Sequence, residues 1–256
     1  MCVACLVAKI IYKFVQKLQM SIFTFKQFQI KQSNSAMKVG TDGVLLGAWA
    51  PIHNNPKTIL DIGTGTGLLA LMLAQRSNAT QIDALDIDED AFEEATDNFE
   101  NSVWNDRLFC YHASLDEFVD EPEEEYDLII CNPPFYAEEF QSTDEQRNLA
   151  RFQSSMPFED LIASADMLLS ENGIFAVIIP YKEQEKFIDI CAQFELFPID
   201  IMHVRGSHNT PIVRSLLAFK RFELQTENIT EIAIEINRHE YTDAYIELTK
   251  DFYLKM

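Results

Sequence analysis

The segment Thr58-Ile59-Leu60-Asp61-Ile62-Gly63-Thr64-Gly65-Thr66-Gly67-Leu68 decides the fold. Thr58–Leu60 reads as a short buried strand ending at Asp61, and the apolar run from Leu68 to Arg76 reads as a helix. Glycines between a strand and a helix allow a tight turn and leave bare backbone for a ligand, while the helix start offers unpaired N–H donors. The spacing is G-x-G-x-G and not G-x-G-x-x-G, so the pyrophosphate-cradling fingerprint of dinucleotide enzymes is not met. An acid at the strand end favours a cationic or amino-bearing ligand instead.

Downstream the same alternation repeats. Gln81–Ile87, Leu108–His112, Tyr126–Cys131 and Gly173–Pro180 read as strands, and Phe197–Val204, Leu216–Phe222 and Glu231–Ile236 are further candidates. Glu89–Asn101, with Ala91, Phe92, Ala95 and Phe99 on one face, reads as a helix, as do Phe158–Leu169 and Glu183–Phe194. Tyr126–Cys131 is apolar almost throughout, which suits the middle of a parallel sheet covered on both faces. The pattern implies an α/β, Rossmann-like fold with a doubly wound, mostly parallel seven-stranded sheet. Its ligand crevice is expected at the carboxyl ends of the strands, around the switch point.

A second anchor follows the glycine loop at Ala84-Leu85-Asp86-Ile87-Asp88. Asp86, at the end of the next strand, can accept both ribose hydroxyls of a nucleoside, with Asp88 as the competing acid. This block, roughly 58–180, resembles the class I S-adenosyl-L-methionine methyltransferases. By that resemblance Asp61, Gly63, Gly65 and Gly67 form the first cofactor motif, and Asp86 is the ribose acid. The third motif, which brackets the adenine, falls at Ala113-Ser114, where many members carry an acid.

Asn132-Pro133-Pro134-Phe135 is the most specific feature of the chain. It leaves a strand expected beside the one ending at Asp61, so it faces the expected cofactor. An exocyclic amino group on a purine is a poor nucleophile, because its lone pair is delocalised into the ring. The Asn132 amide oxygen and the Pro133 carbonyl can accept its two hydrogens and favour the pyramidal nitrogen. The prolines hold that geometry, and Phe135 offers a face for a flipped base. The expected catalytic residues are therefore Asn132, Pro133 and Phe135, acting by alignment without a general base.

This motif serves adenine N6, guanine N2 and protein glutamine alike, so the flanks must choose. Residues 36–50, AMKVGTDGVLLGAWA, present Thr41 and Asp42 as an N-cap for a short apolar helix, with Lys38 just ahead. Together with FKQFQIKQ before it and YTDAYIELTKDFYLKM at the end, the chain from about 20 to 256 resembles the bacterial tRNA1(Val) (adenine-37-N6)-methyltransferases. That resemblance implies that Asn132–Phe135 hold an anticodon-loop adenine of tRNA and that Lys38, Thr41 and Asp42 lie close to the cofactor. The family's basic surfaces map onto Lys26, Lys31, Lys38, Arg205 and Arg214. The segment Tyr136–Pro157, with Arg147 and Arg151, is placed to gate the acceptor or to serve as a plain surface loop.

Bulk composition agrees with one soluble cytoplasmic domain, 21–256, carrying its cofactor core at about 58–180. The 256 residues are 47% hydrophobic, and after residue 20 no apolar run approaches the length of a membrane span. Residues 1–20, apolar with Lys9, Lys13 and Lys17 on one helical face, read as an upstream extension rather than part of the domain, with a targeting or membrane-surface helix as the alternative. Five cysteines, an odd number, argue for a reducing compartment, and Cys2–Cys5 lacks the second pair that a structural zinc site needs. No metal is expected.

The formal charge of −21 at first opposes nucleic-acid binding, but it is segregated. Residues 1–41 hold six Lys and no acid, and 201–222 hold Arg205, Arg214, Lys220 and Arg221 with none. A basic footprint on an acidic body is compatible with that distribution. The rivals are a glutamine-N5 methyltransferase of release factors, for whose usual helical domain about 57 residues ahead of the first motif are too few, and a ribosomal guanine-N2 methyltransferase. A nucleotide-binding regulator without chemistry is opposed by Asn132.

Overall fold

A computed structural model describes residues 22–33, 35, 37–120, 125–134, 156–223 and 226–256. Ile22–Thr24 (β1) and Gln29–Lys31 (β2) form an antiparallel hairpin, and Thr41–Trp49 is helix α1. The alternation then runs β3 Thr58–Ile62, α2 Leu68–Arg76, β4 Gln81–Asp86, α3 Glu89–Glu100, β5 Leu108–His112, α4 Leu115–Asp120 and β6 Tyr126–Cys131. It continues with α5 Phe158–Leu168, β7 Leu169–Pro180, a 3-10 turn Tyr181–Glu183, α6 Gln184–Gln193, β8 Phe197–Ser207 and β9 Ile212–Lys220. The chain ends with β10 Asn228–Asn237, β11 Glu240–Tyr241 and α7 Asp243–Thr249.

The main sheet has the order β11-β10-β8-β9-β7-β6-β3-β4-β5. β3 pairs in parallel with β4 on one side and β6 on the other, so the chain reverses its direction of winding at β3 and β6. β9 runs antiparallel to β7 and β8. The doubly wound sheet is as expected; the strand count is not, being nine among the described residues rather than seven. The cause lies at the β8 edge, where β10 pairs in parallel from Asn228–Asp200 to Glu235–Ser207 and buries Ile232 and Ala233. β11 then folds back on the end of β10. An edge left bare would expose a row of unpaired backbone groups.

Both faces of the sheet are covered, which explains the uninterrupted apolar strands. Ile59 belongs to the same apolar cluster as Leu45, Leu69, Met72 and Phe99, while its neighbour Leu60 belongs to the other, with Leu161, Ile162 and Phe187. The hairpin is tied to the chain end by the Phe25–Tyr253 bridge and the contact of their rings, with centroids 5.8 Å apart, while Phe25 stacks on Phe28 within the hairpin. Among the described residues no helix is long and apolar enough to cross a membrane.

Thr41 and Asp42 do not cap α1, contrary to the sequence reading. Gly40, in extended conformation, is the N-cap and makes no side-chain bond. Thr41 and Asp42 form the first turn, where the Asp42 carboxylate accepts from Arg214 Nε at 2.8 Å.

Candidate active site

The glycine loop begins where β3 runs out. Gly63 and Thr64 both donate to the Leu85 carbonyl, at 2.9 and 3.0 Å, which fastens the loop to β4. Gly63, Gly65 and Gly67 have φ of 68°, 57° and 80°, a left-handed conformation costly to other residues. Their surroundings differ. A Cβ on Gly67 would meet Phe99 Cε1 at 2.5 Å, whereas a Cβ on Gly63 or Gly65 would meet nothing within 4 Å. Gly67 therefore serves packing, and Gly63 and Gly65 border open space.

Two carboxylates face this loop. Asp61 is fully buried; its Oδ2 accepts from Thr64 Oγ1 at 2.6 Å and from the Ala70 N–H at 3.2 Å, while its Oδ1 has no protein partner. Burial pushes its pKa up to about 7, partly offset by those hydrogen bonds, with the charge of Asp86 adding to the rise. Asp86 accepts from the Gly65 N–H at 2.8 Å and the Asp88 N–H at 3.0 Å, and burial raises its pKa as well. An orphaned carboxylate oxygen, a second acid and open space above two glycines suit a ligand bearing positive charge and a polyol. S-adenosyl-L-methionine has both.

The competing acid Asp88 is otherwise employed: its carboxylate accepts from the Ala91 N–H at 2.9 Å and caps α3. Ser114 is likewise engaged, sharing a reciprocal capping box with Glu117 at the start of α4. Its hydroxyl points to that carboxylate, leaving its place beside the end of β5 as its link to the site.

The acceptor segment leaves β6 next door. Asp61 is the strand partner of Ile130 and Ile62 of Cys131, so Asn132 emerges beside the glycine loop. Pro133 is buried and Asn132 half-buried. Helix α1 closes the site from above: the position of a Cβ on Gly43 lies 3.0 Å from Leu68 Cδ2 and 3.9 Å from Asn132 Nδ2. This explains a glycine in the first turn of α1. Phe135, with Tyr136–Ser155 and residues 1–21, lies outside the described residues. Lys38 and Thr41 are exposed on the segment that enters α1.

Several site-building residues carry no motif. In α3, Asn98 donates to the Lys31 and Thr66 carbonyls and accepts from the Lys31 N–H, each at 2.9 Å. Buried Glu94 accepts from the Ser33 and Ser35 N–H groups at 2.5 and 3.0 Å. One helix thus fastens both the glycine loop and the strap that leads to Lys38. Ile87, 57% exposed directly after Asp86, offers an apolar surface beside the ribose acid.

The nearby thiols are inert. Burial, with Asp61 and Asp86 close by, pushes Cys131 far above its usual range, and burial raises Cys110 to about 12. Four cations of the expected basic surfaces have protein partners: Lys31 pairs with Asp97, Arg205 with Glu231 and Arg214 with Asp42, while Lys26 donates to the Lys250 and Met256 carbonyls. Among the described residues no cluster of His, Cys, Asp or Glu could hold a metal ion.

Comparison with known proteins agrees with this geometry. Residues 44–195 match the family model described as the methyltransferase small domain. A Flavobacterium johnsoniae protein named tRNA1(Val) (adenine(37)-N6)-methyltransferase is 64% identical over 92% of this chain and all of its own length. A protein of the same name from Proteus mirabilis is 40% identical over 91% of this chain and 93% of its own. Among solved structures, a predicted O-methyltransferase from Agrobacterium tumefaciens superposes with a TM-score of 0.63 at 17% identity, covering 82% of this chain and 96% of that one. TYW2 of Pyrococcus horikoshii, in complex with MeSAdo, gives 0.55 at 14%, covering 78% and 71%. At these identities the structures speak for the fold alone.

Proposed function

From the premise that this chain belongs to the tRNA1(Val) (adenine(37)-N6)-methyltransferases, we propose how its residues carry out methyl transfer from S-adenosyl-L-methionine to N6 of adenine-37 in valine tRNA. The observation that carries the assignment of the site is the β3–β6 register, which sets the Asp61 glycine loop and Asn132 on adjacent strand ends at the point where winding reverses.

Asp61, Gly63 and Gly65 hold the amino-acid portion of the cofactor, with the free Oδ1 of Asp61 as acceptor for its ammonium. Asp86 accepts the ribose hydroxyls, and Ile87 and the Ser114 end of β5 bound the adenine. Thr41 and Lys38 approach from the α1 side, and Gly67 supports the loop through Phe99. When bound, the cofactor supplies an electrophilic methyl group on a sulfonium, so the protein need only align the nitrogen and place charge.

Asn132 Oδ1 and the Pro133 carbonyl accept the two amino hydrogens and turn the nitrogen lone pair toward the cofactor side. Buried Pro133 follows Asn132 directly, and the missing side chain of Gly43 leaves room for the Asn132 amide. Phe135 is assigned the stacking of the flipped base from its place in the motif. Unstacking an adenine in a single-stranded loop costs only a few kcal/mol. We place this reaction in the cytoplasm, within a single domain spanning 21–256.

The deciding experiment is transfer of labelled methyl from S-adenosyl-L-methionine to unmodified valine tRNA, followed by nucleoside analysis, with a release factor offered in parallel. N6-methyladenosine at position 37 supports the reading. Label on the release factor, or on neither substrate, overturns it.

A further inference from the structure

Pro180 ends β7 on the same sheet edge where Asn132 leaves β6. Cys131 pairs with Val177, so Tyr181 stands one strand across and about three residues further out, a separation on the order of 11 Å from strand spacing and rise. Its side chain is 42% exposed, yet it is braced from behind. The Tyr181 and His203 rings meet edge to face, with centroids 5.1 Å apart and planes at 85°. His203 Nε2 in turn lies 2.9 Å from Gln184 Oε1, which also accepts from Ser215 Oγ at 2.6 Å.

Ser215 is fully buried and is the strand partner of both His203 and Ile179, so this chain of contacts is anchored in the sheet. The donors and acceptors fit one tautomer: Gln184 Oε1 receives protons from the Ser215 hydroxyl and His203 Nε2–H. Burial lowers the His203 pKa, in keeping with a neutral ring. None of these four residues is needed for the cofactor or for the amino group of the target. A buried serine, a glutamine and a histidine arranged to fix an outward-facing phenol amount to a rigid aromatic surface at the mouth of the acceptor site.

We propose that Tyr181 is a stacking platform for an RNA base next to the methylated adenine; the inference rests on the tRNA reading above. Every base offers a π-face to such a platform without hydrogen-bond selection. Lys182 follows it, its ammonium exposed and 3.8 Å from the Glu183 carboxylate. A preset ring also spares the ordering cost that a mobile side chain would add on binding.

The test uses the full chain, an unmodified valine tRNA transcript, and anticodon stem-loops carrying 2-aminopurine on the 5′ or the 3′ side of the target adenine. Tyr181→Ala is expected to raise KM for tRNA roughly tenfold, as loss of one base–aromatic stack would, with little change in kcat or cofactor affinity. One of the two labelled stem-loops is quenched by the parent protein and not by Tyr181→Ala, whereas Tyr181→Phe retains the KM and the quench. Methylation with an unchanged KM and quench in Tyr181→Ala overturns the platform, as does a Tyr181→Phe variant as impaired as Tyr181→Ala, which would make the hydroxyl the contact. A chain that methylates no tRNA at all overturns the acceptor assignment and this subsite with it.

Discussion

Gly63→Ala and Gly67→Ala are chemically the same change in the same loop, and the geometry predicts opposite consequences. Each residue is left-handed, which costs an alanine about 1–2 kcal/mol. At Gly67 the new methyl would also lie 2.5 Å from Phe99 Cε1 and 3.1 Å from Cζ, and Phe99 is only 3% exposed, so the ring has nowhere to swing. Overpacking of that kind adds about 1–3 kcal/mol, for a total of about 2–5 kcal/mol. At Gly63 the methyl meets no protein atom, so stability falls only by the backbone cost. It would, however, occupy space assigned to the cofactor, and the same overpacking range corresponds to a loss of affinity of roughly 5- to 150-fold.

Urea denaturation without ligand and calorimetric titration with S-adenosyl-L-methionine measure the two quantities separately. Gly67→Ala should lose mainly stability and regain part of it when Phe99→Leu is added. Gly63→Ala should lose mainly affinity. Full cofactor affinity in a folded Gly63→Ala protein would refute the reasoning, because the open space over that glycine would then not belong to the cofactor.

Asn132→Ala should bind the cofactor as the parent does while single-turnover methyl transfer falls by orders of magnitude; undiminished turnover would remove Asn132 from the chemistry. Asp61, with its pKa raised from 3.8 to about 7, keeps a proton in the folded chain that the unfolded chain has lost across that window. Stability of the ligand-free protein should therefore fall as pH rises from about 4 to 7, with that component absent in Asp61→Asn, and cofactor affinity should rise over the upper part of the window; identical pH–stability curves for the two proteins would contradict this. Asn98→Ala forfeits three hydrogen bonds between α3, the strap and the glycine loop, and should cost about 3 kcal/mol in a urea melt with faster amide exchange at residues 31–39. Arg214→Ala breaks an ion pair whose side chains are each 33% exposed, so stability should drop by under about 1 kcal/mol while kcat falls severalfold as α1 loosens over Asn132; an unchanged kcat would show that α1 needs no such tether.

The legible parts of this structure were those with local causes. Leu68–Arg76, Leu108–His112 and Tyr126–Cys131 keep their expected bounds because a glycine turn, a change of period or a proline pair marks their ends. Some alternatives could have been narrowed locally: Asp88-Glu89-Asp90-Ala91 and Ser114-Leu115-Asp116-Glu117 are both helix starts, and reading them so favours Asp86 over Asp88 as the acid facing the loop. Other features had no local sign. Nothing near Asp42 announces Arg214, 172 positions away, whose Nε donates to its carboxylate. Glu94 and Asn98 look like the solvated side of an amphipathic helix, yet both are buried, since their partners are backbone groups of a segment some sixty residues earlier.

Charge poses the remaining problem, and the structure suggests how it is met. A chain of net charge −21 repels RNA at long range, and the cations near the site are partly spent within the protein, Arg205 on Glu231 and Arg214 on Asp42. Phosphate neutralisation alone is then a poor source of affinity, because each contact must first displace a carboxylate. Exposed pairs of this kind are worth about 1 kcal/mol or less, so displacing one is inexpensive, but the net gain is correspondingly small. Contacts with bases carry no such handicap. In the proposed reading, an amide oxygen and a carbonyl for the amino group, a motif phenylalanine and a braced tyrosine would bind neutral rings, and they would act most readily where unstacking a base costs little. On the proposed reading, such a protein would distinguish a single-stranded loop from a duplex chiefly through base contacts, because RNA whose bases stay paired would offer it few of them.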